Sequence, residues 1–154
     1  MPTAPAELAP RASARAVLVC EEDRDARLAL VDLLLSRGYQ VQVAIDARQA
    51  VYAVMGSPLS CVVLSLPLSG AEPEEVFRSI RGMVGDDIVP VVVLSHPRLL
   101  PPVIPGFRPD IDQRLAPSLS GAELLDAVHR AITAATTATT TAASPGAAAG
   151  RSIS

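Results

Sequence analysis

A doubly wound α/β domain, with one parallel sheet and helices on both faces, is the fold predicted by three features of this 154-residue sequence. Short continuous apolar runs alternate with stretches of helical periodicity, the βαβα pattern of a parallel sheet. The apolar runs are unbroken, as strands buried on both faces require. Small polar or acidic residues then stand where each run ends, the edge at which open parallel sheets bind ligands.

The elements follow in order. Residues 1–14 are Ala/Pro-rich without period and read as a disordered leader. "AVLVC" (16–20) is the first strand. "RDARLALVDLLLSRG" (24–38) is helical, with Asp25, Ala29, Asp32 and Ser36 as its outer stripe and Gly38 as its stop. "YQVQVAI" (39–45) alternates polar and apolar residues and suits an edge strand. Asp46 and Gln49 open a second helix, through about Met55, with a capping-box spacing. "CVVLS" (61–65) is the third strand, and Pro73 suits the first turn of a third helix. In that helix Val76, Phe77, Ile80 and Val84 share one face. "IVPVVVLS" (88–95) is the fourth strand.

The segment 97–117 holds six prolines, so it admits a single helical turn at most, each interior proline costing about 3 kcal/mol. "DIDQRL" (110–115) fits a short fifth strand. Ser120 and Glu123 cap a last helix, lined by Leu124, Leu125, Val128 and Ile132. From 134 the chain is Ala/Thr/Gly-rich and reads as a disordered tail. The folded domain is therefore expected over 15–133.

Composition bounds the function. Hydrophobic residues make up 49% of the chain and aromatics 3%, so the core is aliphatic. A net charge of −3 gives no footprint for nucleic acid. All thirteen basic residues are arginines, which excludes any mechanism that needs a lysine. No apolar run reaches the length of a membrane span, and no secretory signal opens the chain. Cys20 and Cys61 read as buried small hydrophobes of a cytoplasmic protein. Cys20 ends its strand and Cys61 begins another, so parallel neighbours would hold the thiols apart and no disulfide is expected.

The strand ends gather Glu21, Glu22 and Asp23 after the first strand, Ser65 after the third, Ser95 and His96 after the fourth, and Ala116 before Pro117 after the fifth. With "VVLSLPLSG", "VPVVVLS" and an "AP" before a terminal amphipathic helix, this set resembles the receiver domain of two-component response regulators over roughly 16–132. The resemblance implies a flavodoxin-like five-stranded sheet of order 2-1-3-4-5, with the fourth helix shortened or replaced by the proline-rich segment. It also implies roles. The first strand of a receiver ends in an acidic pair that binds magnesium; here Glu21 and Glu22 stand there, each longer than aspartate. The third strand ends in the phosphoacceptor aspartate; here it is Ser65, and residues 59–71 contain no acid. Ser95 keeps the hydroxyl of the fourth strand, but His96 follows where a small residue is usual. Ala116 takes the lysine position and Gln113 that of the aromatic switch residue.

These departures imply a pseudo-receiver that is not phosphorylated on aspartate and is not an enzyme. The sequence offers it as a stand-alone protein-interaction module of bacterial signalling, since no output domain follows. An alternative is regulation by metal or a small ligand in a residual Glu22–Ser65–His96 pocket, although magnesium binding is expected to be weak or absent. Glu21 and Glu22 could equally be an exposed acidic turn whose Asp23 or Asp25 caps the next helix. His96 could fill the pocket and pair with Glu21 or Glu22, complete a metal site with Glu22, or point to water. Leu99, Leu100, Val103, Ile104 and Phe107 could cap the sheet edge or form a docking patch, with Gln113, for a protein partner or a second copy. That contact would use 96–115 and the last helix. The apolar face of the first helix (Leu28, Leu30, Val31, Leu34, Leu35) fits core packing against the last helix. His129 is placed on that helix's outer side, without a role.

Overall fold

Five parallel strands in the order β2-β1-β3-β4-β5 form the central sheet. The computed structural model describes residues 16–84, 88–117 and 119–153, so the leader lies outside the described residues. In chain order the elements are β1 (Ala16–Cys20), α1 (Arg24–Leu35), β2 (Gln40–Ala44), α2 (Ala47–Gly56), β3 (Leu59–Ser65), α3 (Pro73–Val84), β4 (Val91–Leu94), a 3₁₀ turn (Pro97–Leu99), β5 (Gln113–Leu115) and α4 (Gly121–Ile153).

Alternation along each strand divides the core into two layers. Leu18, Val62, Leu64, Val91 and Val93 face α2 and α3, where they pack with Ala50, Val76, Phe77 and Ile80. Val17, Val19, Cys61, Val63 and Val92 face α1 and α4, with Leu34, Leu124, Ala127, Val128 and Ala131. The expected faces of α3 and α4 are thus the buried ones; the side chain of Val84 lies outside the described residues. On α1 the expectation needs correcting. Leu34 is buried and Leu30 packs against the core, but Leu28 and Leu35 are exposed. The five residues of a stripe as wide as Leu28–Leu35 cannot all reach one neighbouring helix, and of them Leu34 alone is fully buried.

Caps set the helix ends. The Asp23 carboxylate accepts from Ala26 N at 2.8 Å and starts α1. Gly38, at φ +86°, ends it in a conformation that costs only glycine little. Asp46 accepts from Gln49 N at 2.8 Å, while Gln49 accepts from Ile45 N. Ser120 and Glu123 exchange both bonds of a capping box.

Three elements differ from the reading of the sequence. β4 covers only Val91–Leu94 rather than 88–95, since Pro90 has no N–H to give the ladder. β5 covers three residues rather than six, because Ile111 and Asp112 belong to a turn closed by bonds back to Arg108 O. α4 does not stop near 133: helical backbone continues to Ile153, where a disordered tail was expected. Alanine is the strongest helix former, and Ala135 is still buried against the domain. The Thr136 hydroxyl is satisfied within the helix by Ile132 O at 2.9 Å, so a threonine here does not interrupt it.

Cys20 pairs with Leu64 and Cys61 with Val17, three rungs apart, and both thiols are free. Burial pushes the Cys20 thiol from 9.0 up to about 12. Cys61 is pushed up by burial first and by the Asp112 charge second.

Candidate functional site

Register brings the residues of the carboxyl edge to one level. Ser65 pairs with Leu94, and Leu94 with Leu115. Glu21 N continues the ladder onto Ala44 O, and Ser95 N continues it onto Leu115 O. The acidic turn, Ser65, Ser95 and Ala116 therefore follow the ends of adjacent strands, as the sequence indicates.

Each side chain has a definite environment. Ser65 is half-buried at the end of the central strand and is followed by a cis Leu66–Pro67 peptide. Ser95 is buried, and its hydroxyl donates to His96 O at 3.1 Å. His96 is exposed and caps the 3₁₀ turn, its Nδ1 accepting from Arg98 N at 3.3 Å. Among the described residues no bond joins His96 to Glu21 or Glu22, and its side chain lies at the exposed rim. Ala116 is exposed, with no side chain to reach across the edge.

The acidic turn is occupied by the chain's own donors. Glu21 accepts from Asp23 N at 3.0 Å, and Asp23 caps α1. Glu22 accepts from both Ser69 N and Ser69 Oγ. Among the described residues no three His, Cys, Asp or Glu side chains converge as a metal site. Octahedral magnesium needs oxygens at about 2.0–2.1 Å with little tolerance. This donor set, with a neutral Ser65 and carboxylates already engaged, does not fit it.

The proline-rich segment answers the docking question residue by residue. Leu100 and Ile104 are each 4% exposed and close the α2–α3 side of the core, with Phe107 packed against it. They are cap residues rather than free contacts, because the sheet edge would otherwise be open where a helix is missing. Only Leu99 and Val103, the latter 81% exposed, remain at the surface. Gln113 is half-buried and ties β5 to α4 through a 2.9 Å bond from its Nε2 to Ala127 O.

What holds this segment is a pair of arginine clamps. The Asp112 carboxylate, with no side-chain exposure, accepts from Arg81 Nη2, from Val91 N at 2.8 Å and from Arg108 N at 2.9 Å. Arg81 also donates to Val89 O and lies over the Phe77 ring, which is 6.0 Å from that of Phe107. Arg114 donates to the carbonyls of Leu100, Pro101 and Pro102. One clamp joins α3, β4 and the turn before β5; the other pins the proline run. Sequence reasoning missed both. The available signal was Arg81 itself, one residue from Ile80 and four from Phe77, on the flank of an apolar face that would require a buried acid as partner.

Fold, strand order and edge define a receiver-type α/β domain. No family model matches the chain. It is 30% identical over 109 residues to the response regulator MprA of Mycolicibacterium vanbaalenii, covering 71% of this chain and 46% of that protein. The chain thus spans about half the length of that relative. A response regulator receiver protein from Sinorhizobium medicae superposes with a TM-score of 0.68 at 21% identity, over 81% of this chain and 99% of that one. The receiver domain of a sensor histidine kinase from Pseudomonas aeruginosa, which holds a magnesium ion in its active-site cleft, gives 0.61 at 21% identity, over 77% and 98%. These likenesses give the chain the fold of a receiver domain and, over 109 residues, a sequence similarity to a response regulator.

Proposed function

We propose that this receiver domain works without aspartyl phosphorylation, as a protein-interaction module whose docking face is permanently formed. One observation carries the reading: at the end of β3, where the resemblance places the phosphoacceptor, the chain has Ser65 and no acid between 59 and 71. An acyl phosphate needs a carboxylate nucleophile, and a serine hydroxyl is not one. The sequence contains no lysine to hold phosphoryl oxygens. The arginine clamps support the second half of the reading, because they fix the segment that replaces a helix through buried, charge-assisted bonds.

The test is beryllofluoride with magnesium, followed by amide NMR on the whole chain. Unchanged shifts at Ser65, Ser95 and the 96–115 segment are the expected outcome. A saturable set of shifts there would overturn the reading.

A further inference from the structure

The acidic turn after β1 is held by contacts that neither the strand order nor the missing phosphoacceptor requires. We propose that Glu22, Ser69 and Arg27 form a built-in strap across the carboxyl edge of the sheet, fixing this turn in one arrangement in place of a divalent cation. The inference goes beyond loss of the phosphoacceptor, since a chain with Ser65 could still have kept a cation between Glu21 and Glu22.

Three contacts make the strap. Glu22 grips a residue 47 positions away with both oxygens: Oε1 accepts from Ser69 N at 2.9 Å and Oε2 from Ser69 Oγ at 2.7 Å. Ser69 O in turn accepts from Ala47 N, the first residue of α2, at 2.9 Å. The β1–α1 turn, the loop after β3 and the start of α2 are thus joined in series. On the other side, Arg27 Nη1 donates to Glu21 O at 3.1 Å and to Glu22 O at 3.2 Å.

Arginine keeps its charge at every working pH. Arg27 therefore sets a permanent positive charge against a turn in which Glu21, Glu22 and Asp23 stand side by side. Each of those carboxylates already has a partner in the chain: Asp23 N for Glu21, Ser69 for Glu22, and Ala26 N for Asp23. A magnesium ion would have to compete with Ser69 for the Glu22 oxygens. The turn is accordingly held closed by the chain itself, without a cation.

Amide hydrogen exchange and a magnesium titration of the full chain, both read by NMR, test the strap. In the wild type, millimolar magnesium leaves the amides of Glu21, Glu22, Asp23 and Ser69 unmoved. Glu22→Ala speeds exchange of the Ser69 amide about tenfold, while β3 and β4 amides stay within about twofold of wild type. Ser69→Ala, which leaves the backbone bond in place, serves if Glu22→Ala does not fold. It speeds exchange at residue 69 by about threefold, through loss of one of the two bonds. Saturable magnesium shifts at Glu22 and Ser69 in the wild type would overturn the proposal. So would an unchanged residue 69 amide in whichever variant is read.

Discussion

Removing the Asp112 carboxylate is the most informative perturbation of the fold. Its side chain is fully buried and accepts three hydrogen bonds, from Arg81, Val91 N and Arg108 N. The Arg81 side chain is only 15% exposed and its Nε already lacks a partner, so Asp112→Ala leaves a largely buried guanidinium without its counter-charge. Breaking one side of a buried ion pair costs about 3–5 kcal/mol. Orphaning Val91 N adds about 1 kcal/mol or more, since that amide lies at the buried start of β4. We expect a loss of about 4–6 kcal/mol in urea unfolding followed by far-UV circular dichroism, a large part of the stability of an ordinary domain. The double variant Arg81→Met, Asp112→Leu removes the charge problem and should recover more than half of that loss. A loss below about 1 kcal/mol in Asp112→Ala would refute the claim that this pair organises the segment between β4 and β5.

Three further outcomes follow from the same structure. Arg114→Ala frees the carbonyls of Leu100, Pro101 and Pro102, so limited proteolysis should cut within 99–104 at least about fivefold faster, with the sheet intact. Gly106→Ala places a Cβ 3.3 Å from Arg81 Cγ at a backbone φ of +87°, and should cost about 1–2 kcal/mol in the same urea assay. The buried thiols make stability fall at high pH. Their pKa values are raised on folding, so the folded state holds its protons more tightly. Their contribution is complete below pH 9.0 and is lost as pH rises toward about 12 for Cys20. The slope is about 1.4 kcal/mol per pH unit for each thiol. Urea midpoints between pH 8 and 10 should fall less steeply in Cys20→Ala; equal slopes would remove the thiol from the account.

Much of the fold is legible in the sequence because its signals are local. "AVLVC" and "CVVLS" are buried on both faces and read as strands without help from distant residues. Asp46 with Gln49, and Ser120 with Glu123, mark helix starts within four residues. What escapes is non-local. Asp112 looks like an ordinary strand polar residue in "DIDQRL", and its partner Arg81 is 31 positions away. Leu100 and Leu99 are indistinguishable in sequence, yet one is buried and the other exposed, because only the tertiary path of a proline-rich segment decides which side chain meets the core. The site was legible by position and not by contact. Register predicts that Glu22 stands at the edge, but nothing in the sequence says that Ser69 holds it.

The central claim is that this receiver-like domain takes no phosphoryl group at the end of β3. Intact mass of the full chain after incubation with acetyl phosphate and magnesium tests it directly, with an aspartate-bearing receiver treated in parallel. We expect the control to gain a phosphoryl group and this chain to keep its mass. A phosphorylated species of this chain, labile to hydroxylamine as an acyl phosphate is, would contradict the account.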